Sequence, residues 1–197
     1  MKKIFLTICL AAALPLIAET RALVFAGSLR ENSYNKQLAQ RAAETVRKMG
    51  AQATVVDLKD FPMPFYDGDL EAKEGMPENA KKLRELMIAS DVVIISTPEY
   101  NHSIPAVLKN TLDWLSRSLS GAGSREAFKG KKFAIMSAAA GQSGGANALK
   151  HLRSVIEDCG GIVLEQQLAV PRVYEPGVLD SEMVKMGLQS ELEQAIR

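Results

Sequence analysis

From residue 21 onward, short apolar or β-branched runs alternate with longer stretches in which apolar residues recur every three or four positions. The short runs are Ala22–Ala26, Thr54–Leu58, Val92–Ser96, Phe133–Met136 and Ile162–Leu164. Their length and branching suit strands buried on both faces of a parallel sheet. The periodic stretches predict helices. The first begins near Ser33, places Leu38, Ala42 and Val46 on one face and stops at Gly50. The second runs from Pro77 through Leu83, Leu86 and Met87 to Ala89, and the third starts around Pro105 with Leu108, Leu112 and Leu115 on one side and Trp114 beside them. The fourth runs from about Gly145 with Leu149, Leu152 and Ile156, and the last carries Leu188, Leu192 and Ile196.

Strict alternation of five strands and five helices predicts one α/β domain: a parallel sheet between two helix layers, joined by right-handed crossovers. The segment Phe61–Gly68 reads as a loop, because its prolines forbid a central strand or a helix. Gly121–Ser124 reads as a loop within the domain, since strand-like Phe133–Met136 follows soon after. No internal repeat or low-complexity segment appears. In such sheets a ligand binds beyond the carboxyl ends of the strands, where the strand order reverses. The loops after the first, third and fourth strands are therefore where chemistry is expected.

The first of these loops, Gly27 to Asn35, is glycine-led and rich in hydroxyl and amide groups. An anion at the head of the following helix would meet free backbone N–H groups and the positive end of the helix dipole. Arg30 adds a planar donor fork, and Ser28, Ser33 and Asn35 add neutral donors, a set that suits one phosphate monoester. The same residues also read as a capped helix start with a solvated arginine. After the third strand, Pro98-Glu99-Tyr100-Asn101-His102-Ser103 offers backbone donors, an amide and an aromatic plane, which suit a flat heteroaromatic ring. After the fourth, Ser137 to Gly145 supplies small residues and open backbone for close approach to a ring edge. Each loop taken singly is also an ordinary turn; three of them at strand ends expected to meet make a site.

Composition narrows the partner. Twenty-four basic and twenty-three acidic residues leave a charge of +1 with no long run of either sign, which suggests neither a nucleic-acid surface nor a polybasic membrane patch. The partner expected is a small molecule. Cys9 and Cys159 support neither a disulfide framework nor a zinc site, and Cys159 reads as a buried thiol at a helix end. With His102 and His151 as the two histidines, a histidine-built metal centre is not expected.

Residues 1–20 follow a different pattern. Met1-Lys2-Lys3 and the apolar run Ile4–Ala18 resemble a secretory signal, too short for a comfortable membrane span; the alternatives are a wrongly chosen start codon or a hydrophobic extension packed on the fold. Cleavage after Ala18 would leave the domain, residues 21–197, intact.

The chain from Ala22 onward resembles the NADPH-dependent FMN reductases of flavodoxin-like fold, a family that includes chromate and quinone reductases and related azoreductases. The resemblance is carried by Gly27-Ser28-Leu29-Arg30 with Ser33 and Asn35, and by Pro98-Glu99-Tyr100-Asn101 with Ile104-Pro105, Leu108-Lys109-Asn110 and Asp113-Trp114. Gly144-Gly145 with Leu152-Arg153 completes it. It implies a three-layer fold with a five-stranded parallel sheet in the order 2-1-3-4-5. It also implies FMN as cofactor and NADPH (or NADH) as electron donor. Ser28, Arg30, Ser33 and Asn35 would hold the phosphate, and Pro98, Glu99, Tyr100 and Asn101 would line the isoalloxazine and ribityl parts. Ser137, Gly141 and Gly144 would touch the ring's other edge. Ala139-Ala140 departs from the hydroxyl residue or proline often found there, and His102 has no implied role beyond substrate contact. The implied acceptor is a quinone, an azo compound, a free flavin or an oxidised metal such as chromate, and no acid–base residue need be essential. The implied assembly is a homodimer or homotetramer in which Phe61–Tyr66 and the third helix meet a neighbour's flavin site. The implied compartment is the cytoplasm, with export to the periplasm as the alternative if residues 1–18 act as a signal. The rival functions are a flavodoxin-like electron carrier, against which the near-neutral charge speaks, and a non-enzymatic FMN-binding protein.

Overall fold

The computed structural model describes residues 19–196, so the apolar leader lies outside the described residues. In chain order the elements are β1 (Arg21–Ala26), α1 (Tyr34–Lys48), β2 (Gln52–Val56), α2 (Gly68–Glu74), α3 (Glu78–Ala89) and β3 (Val92–Ser96). They continue with α4 (Ala106–Leu115), β4 (Lys132–Ala138), α5 (Ala146–Asp158), β5 (Ile162–Val163), β6 (Leu168–Val170) and α6 (Glu182–Ile196). The sheet is parallel throughout, in the order β2-β1-β3-β4-β5, with β6 also pairing with β4.

Alternation along the central strands sorts the core into two layers. Ala22, Val24, Ile94, Ala134 and Met136 face α1 and α6. Leu23, Phe25, Val93, Ile95, Phe133 and Ile135 face α3, α4 and α5. Both faces of the sheet are thus covered, which is why its strands read as apolar runs instead of alternating ones. The leucines on which the helical periodicity rested, Leu38, Leu83, Leu108, Leu112, Leu149, Leu152, Leu188 and Leu192, are all buried. Each stabilises the fold by roughly 1.5–3 kcal/mol relative to exposure.

The structure differs from the sequence expectation at three places. The expected single fifth strand Ile162–Leu164 ends at Val163, and β6 resumes the pairing five residues later. The second strand ends at Val56, before Asp57 caps a single 3-10 turn over Leu58–Asp60, so Leu58 is not in it. Beyond the proline loop, Asp67 caps the short helix α2, whose low apolar content hid it. Cys159 is the C-terminal cap of α5 as expected but is only half-buried.

The Phe61–Gly68 loop is nevertheless rigidly held. Asn110 of α4 accepts the Tyr66 N–H (2.7 Å) and donates to the Pro64 carbonyl (2.9 Å), to which the Trp114 indole N–H also donates (2.9 Å). Tyr66 meets Trp114 edge to face at 5.0 Å, and its hydroxyl donates to the buried Glu71 carboxylate, which also takes the Arg117 guanidinium. That guanidinium holds the Glu71 carboxyl below its ordinary range.

Candidate functional site

An open cleft of about 230 Å3 lies beyond the carboxyl ends of β1, β3 and β4. Its walls come from the loop after β1 (Ser28, Arg30, Ser33, Tyr34, Asn35), the loop after β3 (Pro98, Glu99, Tyr100) and the loop after β4 (Ala138, Ala139, Ala140). A fourth wall, not foreseen from the sequence, is Val173, from the segment that follows β6. Clefts of similar size between α1 and β2 and between α1 and α6 hold the ion pairs Lys36–Asp57 and Arg41–Asp180, whose charges already satisfy one another.

The head of α1 gathers hydrogen-bond donors. Gly27 is required by close packing: a Cβ there would lie 2.8 Å from Leu108 Cδ2, and its N–H is spent on the Ser96 carbonyl (2.9 Å). Ser33 caps α1, its hydroxyl oxygen accepting the Lys36 N–H, while the Ser28 oxygen accepts the Arg30 N–H (3.3 Å). Both hydroxyl hydrogens stay available to an acceptor in the cleft. Among the described residues, the first-turn N–H groups of Tyr34 and Asn35 have no acceptor and the Arg30 guanidinium has no partner. The first turn holds no acidic residue, so the positive end of the dipole is uncompensated. Glu31, the nearest carboxylate in the loop, is paired with Lys59 at 3.0 Å. Among the described residues this corner is rich in unpaired donors, which is the chemistry a phosphate needs.

Asn35 lines the same corner, but its amide is already engaged. Its Nδ2 donates to the Ala138 carbonyl (2.8 Å), and its Oδ1 accepts from the Ala138 N–H (2.9 Å) and the Ser96 hydroxyl (2.9 Å). It ties α1 to the ends of β3 and β4, and its backbone N–H, not its side chain, is what it offers a ligand.

The loop after β3 is a two-residue hairpin. Tyr100 and Ser103 exchange both backbone hydrogen bonds (2.9 and 3.0 Å), and Asn101 and His102 between them have φ of 50° and 62°. Two successive left-handed residues make the primed turn that suits a hairpin, and asparagine and histidine are both among the non-glycine residues enriched in that conformation. Asn101 stands at the exposed tip, outside the cleft lining. The hairpin is braced on α5: Glu99 accepts the N–H groups of Asn147 (2.9 Å) and Ala148 (3.1 Å), His102 Nδ1 meets the Asn147 amide (3.1 Å) and His151 Nδ1 meets the Ser103 hydroxyl (3.0 Å). The Glu99 carboxylate thus occupies the positive end of α5. Pro98 and the half-exposed Tyr100 keep their surfaces toward the cleft.

The residues expected on the far edge are set deeper. Ser137 is fully buried beneath the Gly144–Gly145 turn, and its hydroxyl has no partner among the described residues. Gly145 has φ of 92°, and a Cβ there would collide with the Ser137 oxygen. Gly144 packs on the backbone of Ala169–Pro171, and the Gly141 carbonyl accepts the N–H groups of Gly144 (3.2 Å) and Arg172 (3.4 Å). The wall that reaches the cleft there is Ala138–Ala140 together with Val173, so Ser137, Gly141 and Gly144 shape it from behind.

The comparisons with known proteins bear on the fold that carries this cleft. The model of the NADPH-dependent FMN reductase family matches residues 20–175. A quinone reductase of Escherichia coli (strain K12) is 34% identical over 143 residues, 71% of this chain and 71% of that protein. A 2-hydroxy-1,4-benzoquinone reductase of Burkholderia sp. is 38% identical over 151 residues, 77% of this chain and 75% of that protein. Among solved structures, the flavoenzyme NAD(P)H:(acceptor) oxidoreductase FerB from Paracoccus denitrificans superposes with a TM-score of 0.75 at 26% identity, covering 90% of this chain and 95% of that one.

Proposed function

The chain belongs to the NADPH-dependent FMN reductase family, and from that premise we propose that it carries reducing equivalents from NAD(P)H, by way of FMN held in the strand-end cleft, to a quinone. The observation that carries the reading is the donor-rich corner at the head of α1: among the described residues, an unpartnered Arg30, two free hydroxyl hydrogens and two orphan N–H groups. This donor set fits a phosphate monoester, and the adjoining wall of Pro98, Tyr100 and Ala138–Ala140 fits a flat ring. When bound, FMN supplies the redox chemistry that links the nicotinamide donor to the acceptor.

The chain's own residues bind and orient. Arg30, Ser28 and Ser33 hold the phosphate, with the Tyr34 and Asn35 N–H groups completing its shell. Tyr100 and Pro98 form one side of the ring pocket, and Asn101 presents backbone at its rim. Glu99, bound to the α5 N-terminus, keeps the hairpin in place. No pair of carboxylates or nucleophile beside a base lines the cleft, so the residues set geometry while the cofactor does the chemistry. Near-neutral charge and a partly apolar open cleft suit a small uncharged acceptor better than an acidic carrier's protein partner. The relatives named quinone reductase favour a quinone over an azo dye, free flavin or chromate.

The proposed assembly is a homodimer or homotetramer. Phe65 is 78% exposed on a loop whose neighbours are pinned to α4, a rigid aromatic of the kind that anchors interfaces. A monomeric mass by light scattering would remove the shared-site idea. We place the protein in the cytoplasm, where NAD(P)H is available. No helix of the described residues is long and apolar enough to cross a membrane. N-terminal sequencing of protein from native cells tests this, and a mature chain beginning at Glu19 would overturn it.

The deciding experiment is anaerobic titration of the purified protein, loaded with FMN, with NADPH, followed by a benzoquinone. Bleaching by NADPH and recovery by the quinone are expected. A yellow protein inert to NADPH would show a carrier or a binder instead.

A further inference from the structure

β5 and β6 are two pieces of one edge strand: β5 pairs with Lys132 and Phe133 of β4, and β6 with Met136, Ser137 and Ala138. Between them the edge is broken beside Ala134 and Ile135. Two side chains reach this break from opposite faces of the sheet. Arg153 of α5 donates to the carbonyls of Val163 (3.2 Å) and Leu164 (2.5 Å), and with its amide turned Gln167 accepts from the same guanidinium. Glu191 of α6 comes from the other side. It is fully buried, and neither carboxyl oxygen has a hydrogen bond of good geometry; the donors nearest to it are the backbone N–H groups of Ile135 and Leu168, which flank the break.

A carboxylate left there would be a buried charge without a counterion, a state proteins avoid by keeping the proton. Burial pushes the Glu191 carboxyl up to about 8, with the two N–H groups opposing that shift. Among the described residues the charged groups on the surrounding elements give Glu191 no counterion. Lys132 of β4 binds the carbonyls of Gln194 and Ala195, Arg41 of α1 binds Asp180, and Glu44, Lys48 and Lys185 line the outer groove between α1 and α6.

β6 leads directly to the cleft. The Val170 carbonyl accepts the Ala139 N–H (3.1 Å) and the Ala139 carbonyl accepts the Val173 N–H (3.2 Å), so the alanine wall is positioned by the chain that leaves β6. Val173 itself lines the cleft. We propose that Glu191 is a positioning residue for the cofactor cleft: as a neutral acid it stays buried at the break beside β4 and β6 and so keeps the Ala138–Ala140 wall in place, and its ionisation, which a buried site without a counterion opposes, releases that wall and the cofactor with it. The proposal rests on the reading that the cleft holds FMN.

The test compares FMN affinity, by flavin fluorescence, at pH 7 and pH 9 for the wild type and Glu191→Gln, which stays neutral throughout. For a carboxyl half-ionised at about 8 whose ionised form does not hold FMN, the wild type should bind about tenfold more weakly at pH 9. Glu191→Gln should change by less than about threefold, because the amide has no proton to lose over this interval. Amide hydrogen exchange at Ile135 and Leu168, corrected for intrinsic rate, should rise over the same interval in the wild type alone. A wild type that keeps its affinity and protection, or a parallel decline in both proteins, would overturn the proposal. Absence of FMN binding at pH 7 would refute the functional reading instead, and the exchange comparison would then decide the role of Glu191 by itself.

Discussion

Replacing Asn35 by alanine separates a ligand from a structural tie. The side chain satisfies three groups: the Ala138 carbonyl, the Ala138 N–H and the Ser96 hydroxyl. The serine can rotate to another acceptor, whereas the two backbone groups are fixed at the end of a buried strand. At about 1–3 kcal/mol for each polar group left unsatisfied, the two should cost roughly 2–6 kcal/mol. A domain of this size loses about 2–4 °C of melting temperature per kcal/mol, so a fall of roughly 4–24 °C is expected by calorimetry. FMN affinity, measured by fluorescence where the variant is folded, should fall by less than about tenfold, because no phosphate contact is removed. If the amide instead served the phosphate directly, the pattern would invert. An unchanged melting temperature with binding weakened about 10- to 150-fold would refute the reasoning.

Three further outcomes follow from the same geometry. Arg30→Ala should weaken FMN binding roughly 10- to 150-fold while leaving the melting temperature nearly unchanged, since it removes one charge-assisted contact from an unpartnered surface group; full flavin retention on gel filtration would exclude the phosphate corner. Arg117→Ala should destabilise by about 3–5 kcal/mol at pH 7, because it strands the buried Glu71 carboxylate. That carboxyl is depressed in the folded protein, so its contribution is present above about 4.5 and is lost as the pH falls through the lower folded value. The gap between wild type and variant in urea midpoints should therefore narrow in acid, and a constant gap would count against the ion pair. Gly145→Ala should cost more than the roughly 1–2 kcal/mol of left-handed backbone alone, because the new methyl meets the Ser137 hydroxyl. Combining it with Ser137→Gly should recover part of the loss in thermal melts, and strict additivity would show that the two positions do not touch.

Most of the architecture was legible because it follows from local pattern. Buried strands such as Val92–Ser96 and amphipathic helices such as Tyr34–Lys48 announce themselves by which positions avoid water, and Ser33 marks a helix start by the chemistry of its own hydroxyl. The short helix α2 and the split of the last strand were not legible. One has too few residues to show a period, and the other shows itself only in which residues of β4 pair with β5 and which with β6. Within the cleft, residue type singled out Arg30, Ser28 and Ser33, which a local turn brings to one corner of the lining. It could not show that Asn35 and Glu99, equally suited to a ligand by type, already have partners in the fold.

Residues close together in the chain were enough to establish the order of strands and helices, the loops that would meet at one sheet edge and the family to which the chain belongs. Which polar groups remain free was settled only by folding. That question turns on contacts across the molecule, such as Asn35 with Ala138 and Glu99 with Asn147, and on the burial of Glu191 against a strand break. A donor's availability is set by the neighbour that reaches it first, and the tertiary fold chooses that neighbour.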